Sequence, residues 1–60
     1  DRLVFHNDKS VSIIDYKTGI SKKEHHLQVE NYARVLQSLN FLVYKKVLVY
    51  MNETILIEEF

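Results

Sequence analysis

Cysteine is absent from the 60 residues of this chain. That excludes a disulfide staple and a thiolate metal site, and it fits a reducing compartment. Excess charge is also absent. Eight Lys and Arg balance eight Asp and Glu, so no overall field draws the chain to nucleic acid or to a membrane surface. Binding of that kind has to come from a local cluster. The basic pairs Lys22-Lys23 and Lys45-Lys46 could meet phosphates, although such short pairs ordinarily serve solubility. No apolar run is long enough to span a bilayer. No basic-then-apolar leader opens the chain, which begins Asp1-Arg2 and directly enters a strand-like run. It has no initiator methionine either, and it reads as a piece of something larger. Glycine occurs once, at Gly19.

What is present is the composition of an ordinary globular domain, 47% hydrophobic. At this length one domain is expected. It would bury only about 60% of the surface its unfolded chain exposes. A core that small is marginal, so the chain is expected to self-associate as a homodimer or to lean on further elements.

The elements follow from periodicity and punctuation. Residues 1–5, DRLVF, read as a first strand, and Asn7-Asp8-Lys9 as a loop. Residues 10–17, SVSIIDYK, form a second strand broken by Thr18-Gly19. Ser21 stands three residues before Glu24, a capping-box spacing that predicts a helix from about Lys22 to Leu39. Residues 43–51 are the most continuous apolar strand. Asn52-Glu53 make a turn, and TILIEEF is the last strand. The class is α+β (α/β) in the order ββαββ. A strand, a helix and a strand in succession favour a right-handed crossover to a parallel strand. The sheet is therefore expected to be mixed, with one crossover helix and antiparallel hairpins at its edges.

Side chains alternate along a strand. Val11, Ile13, Asp15 and Lys17 thus share one face, with Asp15 and Lys17 about 6–7 Å apart along it. Setting Leu3 opposite Ile13 and Phe5 opposite Val11 keeps the apolar set together. A slip by one residue splits it. The same register sets Asp1 opposite Asp15, with Cβ atoms about 5 Å apart. Two opposed carboxylates need a positive charge between them, and a divalent cation and Lys17 are the natural candidates. On the helix, Gln28, Tyr32, Val35, Leu36 and Leu39 fall in one stripe at 100° per residue. Gln28 and Tyr32 stand one above the other in it, facing the Asp15 end of the second strand. The opposite face of the sheet, with Val4, Ile14 and Tyr16, lacks cover.

Asp1-Arg2-Leu3, then Ile13-Ile14-Asp15-Tyr16-Lys17-Thr18-Gly19, then Gln28-x-x-x-Tyr32 on a helix together resemble the nuclease domain of the RecB family. That family lies in the PD-(D/E)xK superfamily and includes the AddAB-type helicase–nucleases. The resemblance covers residues 1 to about 50. It implies that residues 1–60 are part of a restriction-endonuclease-like nuclease core, from a Mg²⁺-dependent (or Mn²⁺-dependent) DNA exonuclease. It further implies a role in DNA recombination and repair, a helicase domain or subunit as partner, a bacterial cytoplasmic setting and no membrane. Asp15 and Lys17 would be catalytic, and Asp1, Asp15 and the Tyr16 carbonyl would hold the metal. Gln28 and Tyr32 would support the site or touch DNA. Members of the family carry a further metal ligand on an upstream helix, so the isolated segment is expected to be inactive.

A blander reading stands beside this one. A lone Asp-x-Lys is common, and an exposed carboxylate at a strand end pairs with a nearby lysine in many proteins. Tyr32 then serves core packing. His25 and His26 are adjacent, do not face each other, and make no paired metal site. His6 is solvated beside its turn. On that reading the chain is an inactive nuclease-like module or an oligomerisation unit.

Overall fold

A computed structural model describes residues 2–60. The expectations placed on Asp1, as a metal ligand and as the partner of Asp15, lie outside the described residues. The elements are β1 (Arg2–Phe5), β2 (Ser10–Lys17), α1 (Lys23–Ser38), β3 (Leu42–Met51) and β4 (Ile55–Glu59). The four strands form one mixed sheet in the order β1-β2-β3-β4. β2 runs parallel to β3, and the two outer pairs are antiparallel.

Alternation selects the β1–β2 register. Leu3 pairs with Ile13 and Phe5 with Val11, the arrangement that keeps apolar side chains on one face. In the connecting loop, Asn7 Oδ1 accepts hydrogen bonds from the backbone N–H groups of Lys9 and Ser10. These bonds close the turn with an Asx-type cap. β2 and β3 run in step from Ser12–Lys45 to Lys17–Tyr50, after a register shift between Val11 and Ser12.

α1 crosses the face of the sheet that carries Ile13 and Leu48. Its buried positions are Val29, Ala33 and Leu36, packed on Val11, Ile13, Leu48 and Tyr50. Leu3, Phe41, Val43 and Phe60 close the margins of this core. The expected stripe is corrected here. Leu36 is buried, but Tyr32, Val35 and Leu39 are exposed. At 100° per residue the buried stripe is centred about 80° away from the expected one. Polar contacts on both flanks of the helix accompany that rotation. On one flank of the helix Gln28 bonds Lys17, and on the other Glu30 pairs with Lys46.

The helix ends also differ in mechanism from expectation. The N-cap residue is Lys22, and no side chain caps the first turn. The Ser21 hydroxyl instead donates to the Glu58 carboxylate at 3.0 Å, so the capping box does not form. At the C-terminus Asn40 takes φ 70°. The Phe41 N–H reaches the Leu36 carbonyl and the Asn40 N–H reaches that of Gln37, the two bonds of a Schellman motif. This motif turns Phe41 back under the helix, onto the core.

Candidate functional site

The site lies at the C-terminal ends of the parallel pair β2 and β3, beneath the first turns of α1. Asp15 and Lys17 are two residues apart on β2, so they project to the same, helix-facing side. Asp15 is 3% exposed, the one buried carboxylate among the described residues. Lys17 reaches back along the strand and sets its Nζ 3.2 Å from Asp15 Oδ2. The same Nζ donates to Gln28 Oε1 at 2.8 Å. Three polar groups from β2 and α1 thus converge, with the ammonium held between a carboxylate and an amide oxygen.

The turn beyond β2 is fastened by the neighbouring turn between β3 and β4. Gly19 adopts φ +90°, a conformation that glycine enters without steric cost. Asn52, between β3 and β4, accepts from the Gly19 N–H at 3.0 Å and donates to the Gly19 carbonyl at 2.7 Å. Two bonds to one residue, one on each of its flanking peptide units, pin the turn that ends β2, and with it the position of Lys17.

A second polar group borders the first. Tyr50 pairs with Lys17 across the β2–β3 ladder and is 1% exposed. Its hydroxyl lies 3.0 Å from His25 Nδ1. His26, next along the helix, places Nε2 3.0 Å from Glu58 Oε1 and stacks its ring on Phe60. The His26 hydrogen bond holds the Glu58 carboxyl below its ordinary value of 4.5, with help from the Ser21 and Tyr50 hydroxyls. His25 and His26 therefore face the sheet rather than solvent, each with its own partner. The sequence shows His25 and His26 as neighbours on the first helical turn but not these partners. The available signal was the alternation of β3, which puts Tyr50 on the helix-facing side once the parallel register is known.

The remaining sequence candidates fall as follows. The Tyr16 side chain points to the face away from α1 and is exposed, so only its backbone carbonyl could serve as a ligand. Tyr32 is 42% exposed on the solvent side of α1 and takes no part in the core expected of it. His6 is not merely solvated, because its Nε2 lies 2.7 Å from the Ser12 hydroxyl and its ring meets Tyr44 edge-on. Among the described residues no three His, Cys, Asp or Glu side chains gather as a metal-binding group. Asp15 does supply the hard oxygen donor that Mg²⁺ takes from proteins, usually one or two carboxylates completed by water and substrate phosphate. Among the described residues Asp15 is the one buried carboxylate that could serve such an ion.

No family model, curated protein or solved structure matches the chain.

Proposed function

We propose that the chain is part of the catalytic core of a Mg²⁺-dependent DNA exonuclease and acts within a larger, helicase-linked protein of DNA recombination and repair. The observation that carries this reading is the convergence of Asp15, Lys17 and Gln28. Asp15-x-Lys17 at a strand end is by itself a weak signal. A glutamine eleven residues further on, delivered by a crossover helix to the same ammonium, is a more specific arrangement. The ββαββ order and the mixed sheet agree with the nuclease fold that the motifs resemble. No helix among the described residues is long and apolar enough to cross a membrane, which is compatible with the bacterial cytoplasmic setting proposed for the parent.

In this scheme Asp15 would hold Mg²⁺ or Mn²⁺, with Asp1 and the Tyr16 carbonyl as the further ligands that the resemblance implies. A bound metal of this kind polarises a phosphoryl oxygen and lowers the pKa of a coordinated water. Lys17 meets the negative charge that develops on the phosphate. Gln28 is a positioning residue. Its amide oxygen keeps the Lys17 ammonium from swinging into solvent. Tyr32, one turn further along the exposed side of α1, would be the residue that meets a DNA strand.

The test is Mg²⁺-dependent degradation of linear duplex DNA by the intact protein that carries these residues. Asp15→Asn keeps the shape of the side chain and removes the ligand charge, so cleavage and Mn²⁺ binding by calorimetry should both be lost. Lys17→Ala should slow cleavage about a hundredfold, equivalent to roughly 3 kcal/mol of transition-state stabilisation. Gln28→Ala should be milder. Circular dichroism checks that each variant is folded. Undiminished cleavage by Asp15→Asn refutes the assignment and leaves the reading of an inactive or oligomerising module. The self-association half of that second reading has support of its own in the open face of the sheet.

A further inference from the structure

Among the described residues nothing covers the face of the sheet opposite α1. Tyr16, Met51 and Ile57 are 46%, 52% and 65% exposed on it, and Ile14, Val47 and Val49 are half-buried. Its pattern is more informative than its apolarity. Arg2 pairs with Ile14, Ile14 with Val47, and Val47 with Glu59. These residues form one row across all four strands, with a cation on one edge, an anion on the other and two apolar residues between. Tyr16, Val49 and Ile57 form the next row on the same face. Arg2 and Glu59 stand three strand spacings apart, about 14 Å, so they do not pair within one chain. The neighbour of Glu59 is Lys45, 3.5 Å away at an exposed position, and such a surface pair is weak and easily shared.

We propose that a second copy of this chain docks on the open face, about a two-fold axis that runs along the strands midway between β2 and β3. Rotation about that axis preserves position along the strand and exchanges β1 with β4 and β2 with β3. Arg2 then meets Glu59 of the partner subunit, and the symmetric pair forms at the other edge. Between these pairs Ile14 lies over Val47 of the partner subunit, and Tyr16 over Val49 of the partner subunit. The gap between packed sheets is about 10 Å, which extended Arg and Glu side chains bridge. A two-fold axis across the strands is disfavoured. It lays β1 over β1, and Arg2 then faces its own copy or nothing. Charge complementarity therefore selects the operator, in an isologous interface where each contact occurs twice. The face measures about 19 by 20 Å, or roughly 400 Å² per partner, from the strand spacing and rise. That is about half the ~800 Å² per partner of a standard interface. The dimer is accordingly weak, forming at high micromolar concentration.

Sedimentation equilibrium at low salt, from about 20 µM to about 1 mM, spans the range in which such a dimer dissociates. The wild-type chain should shift from monomer to dimer across it. Arg2→Glu and Glu59→Arg should each weaken association about tenfold or more, and the double variant should recover to within about threefold. Circular dichroism verifies folding of each variant. A second measurement uses the absence of native cysteine. Chains carrying Arg2→Cys and chains carrying Glu59→Cys, mixed and treated with a bis-maleimide of about 10 Å reach, should form the crosslinked heterodimer in preference to either crosslinked homodimer, since the gap is too wide for a direct disulfide. Monomeric wild-type chain at the highest concentration overturns the proposal, whatever else the open face binds. So does a double variant no tighter than the single ones, or a statistical mixture of crosslinked dimers.

Discussion

Replacing Lys17 by methionine keeps most of the side-chain volume and removes the charge that faces Asp15. Asp15 has a side chain 4% exposed and Lys17 one 22% exposed. Removing one partner of a fully buried ion pair costs about 3–5 kcal/mol, because the remaining charge has neither water nor a counter-ion. Here the lysine end is partly wet, and water entering beside the methionine would restore part of the lost solvation. The expected cost is about 2–3 kcal/mol. A chain of this length has a total stability of about 3–9 kcal/mol, so the loss should be large in urea unfolding followed by helical circular dichroism. Asp15→Asn is different. Lys17 keeps its bond to Gln28 and its access to water, so that variant should lose only about 1 kcal/mol. The double variant Asp15→Asn/Lys17→Met leaves no unpaired charge. It should be more stable than the sum of the two losses implies, with a coupling of about 1–2 kcal/mol. Losses that add to within about 0.5 kcal/mol would refute the reasoning, since they would mean the ammonium does not neutralise the buried carboxylate.

Glu58→Gln should alter the pH dependence of stability. Glu58 has its carboxyl held below 4.5 in the folded chain, so its contribution is fully present above about pH 4.5 and lost as pH falls through the folded value. The stability difference between wild type and Glu58→Gln, from urea curves at pH 6 and pH 3, should therefore shrink on acidification; a difference that grows would count against the His26–Glu58 bond. Leu48 is fully buried in the centre of β3, and Leu48→Ala should cost about 3–4 kcal/mol, enough to leave much of the chain unfolded at 37 °C by near-ultraviolet dichroism. Asn40 sits at φ 70°, where glycine bears no side-chain clash, so Asn40→Gly should raise the urea midpoint by the equivalent of about 0.5 kcal/mol. A lowered midpoint would show that the Asn40 side chain contributes more than its backbone strain costs.

The order of elements, the β1–β2 register and the parallel sense of β2 and β3 were legible in the sequence. These rest on local rules: the two-residue alternation of Leu3, Phe5, Val11 and Ile13, and the handedness of a strand–helix–strand crossover. The shared face of Asp15 and Lys17 was legible for the same reason. Tertiary structure alone decided how the helix is rolled about its axis. Apolar content favoured a stripe through Tyr32, Val35 and Leu39, whereas Val29, Ala33 and Leu36 are the residues buried. A helix can expose leucine at small cost when polar anchors on both flanks hold it otherwise. Those anchors, Lys17 with Gln28 and Lys46 with Glu30, join residues brought together only by the folded sheet. The unused capping box has the same origin, since Ser21 bonds a carboxylate 37 residues away. The His25–Tyr50 and His26–Glu58 contacts likewise arise where the helix start meets the ends of β3 and β4. Periodicity assigns a residue to a face, but which faces meet depends on long-range packing and on the need of every buried polar group for a partner.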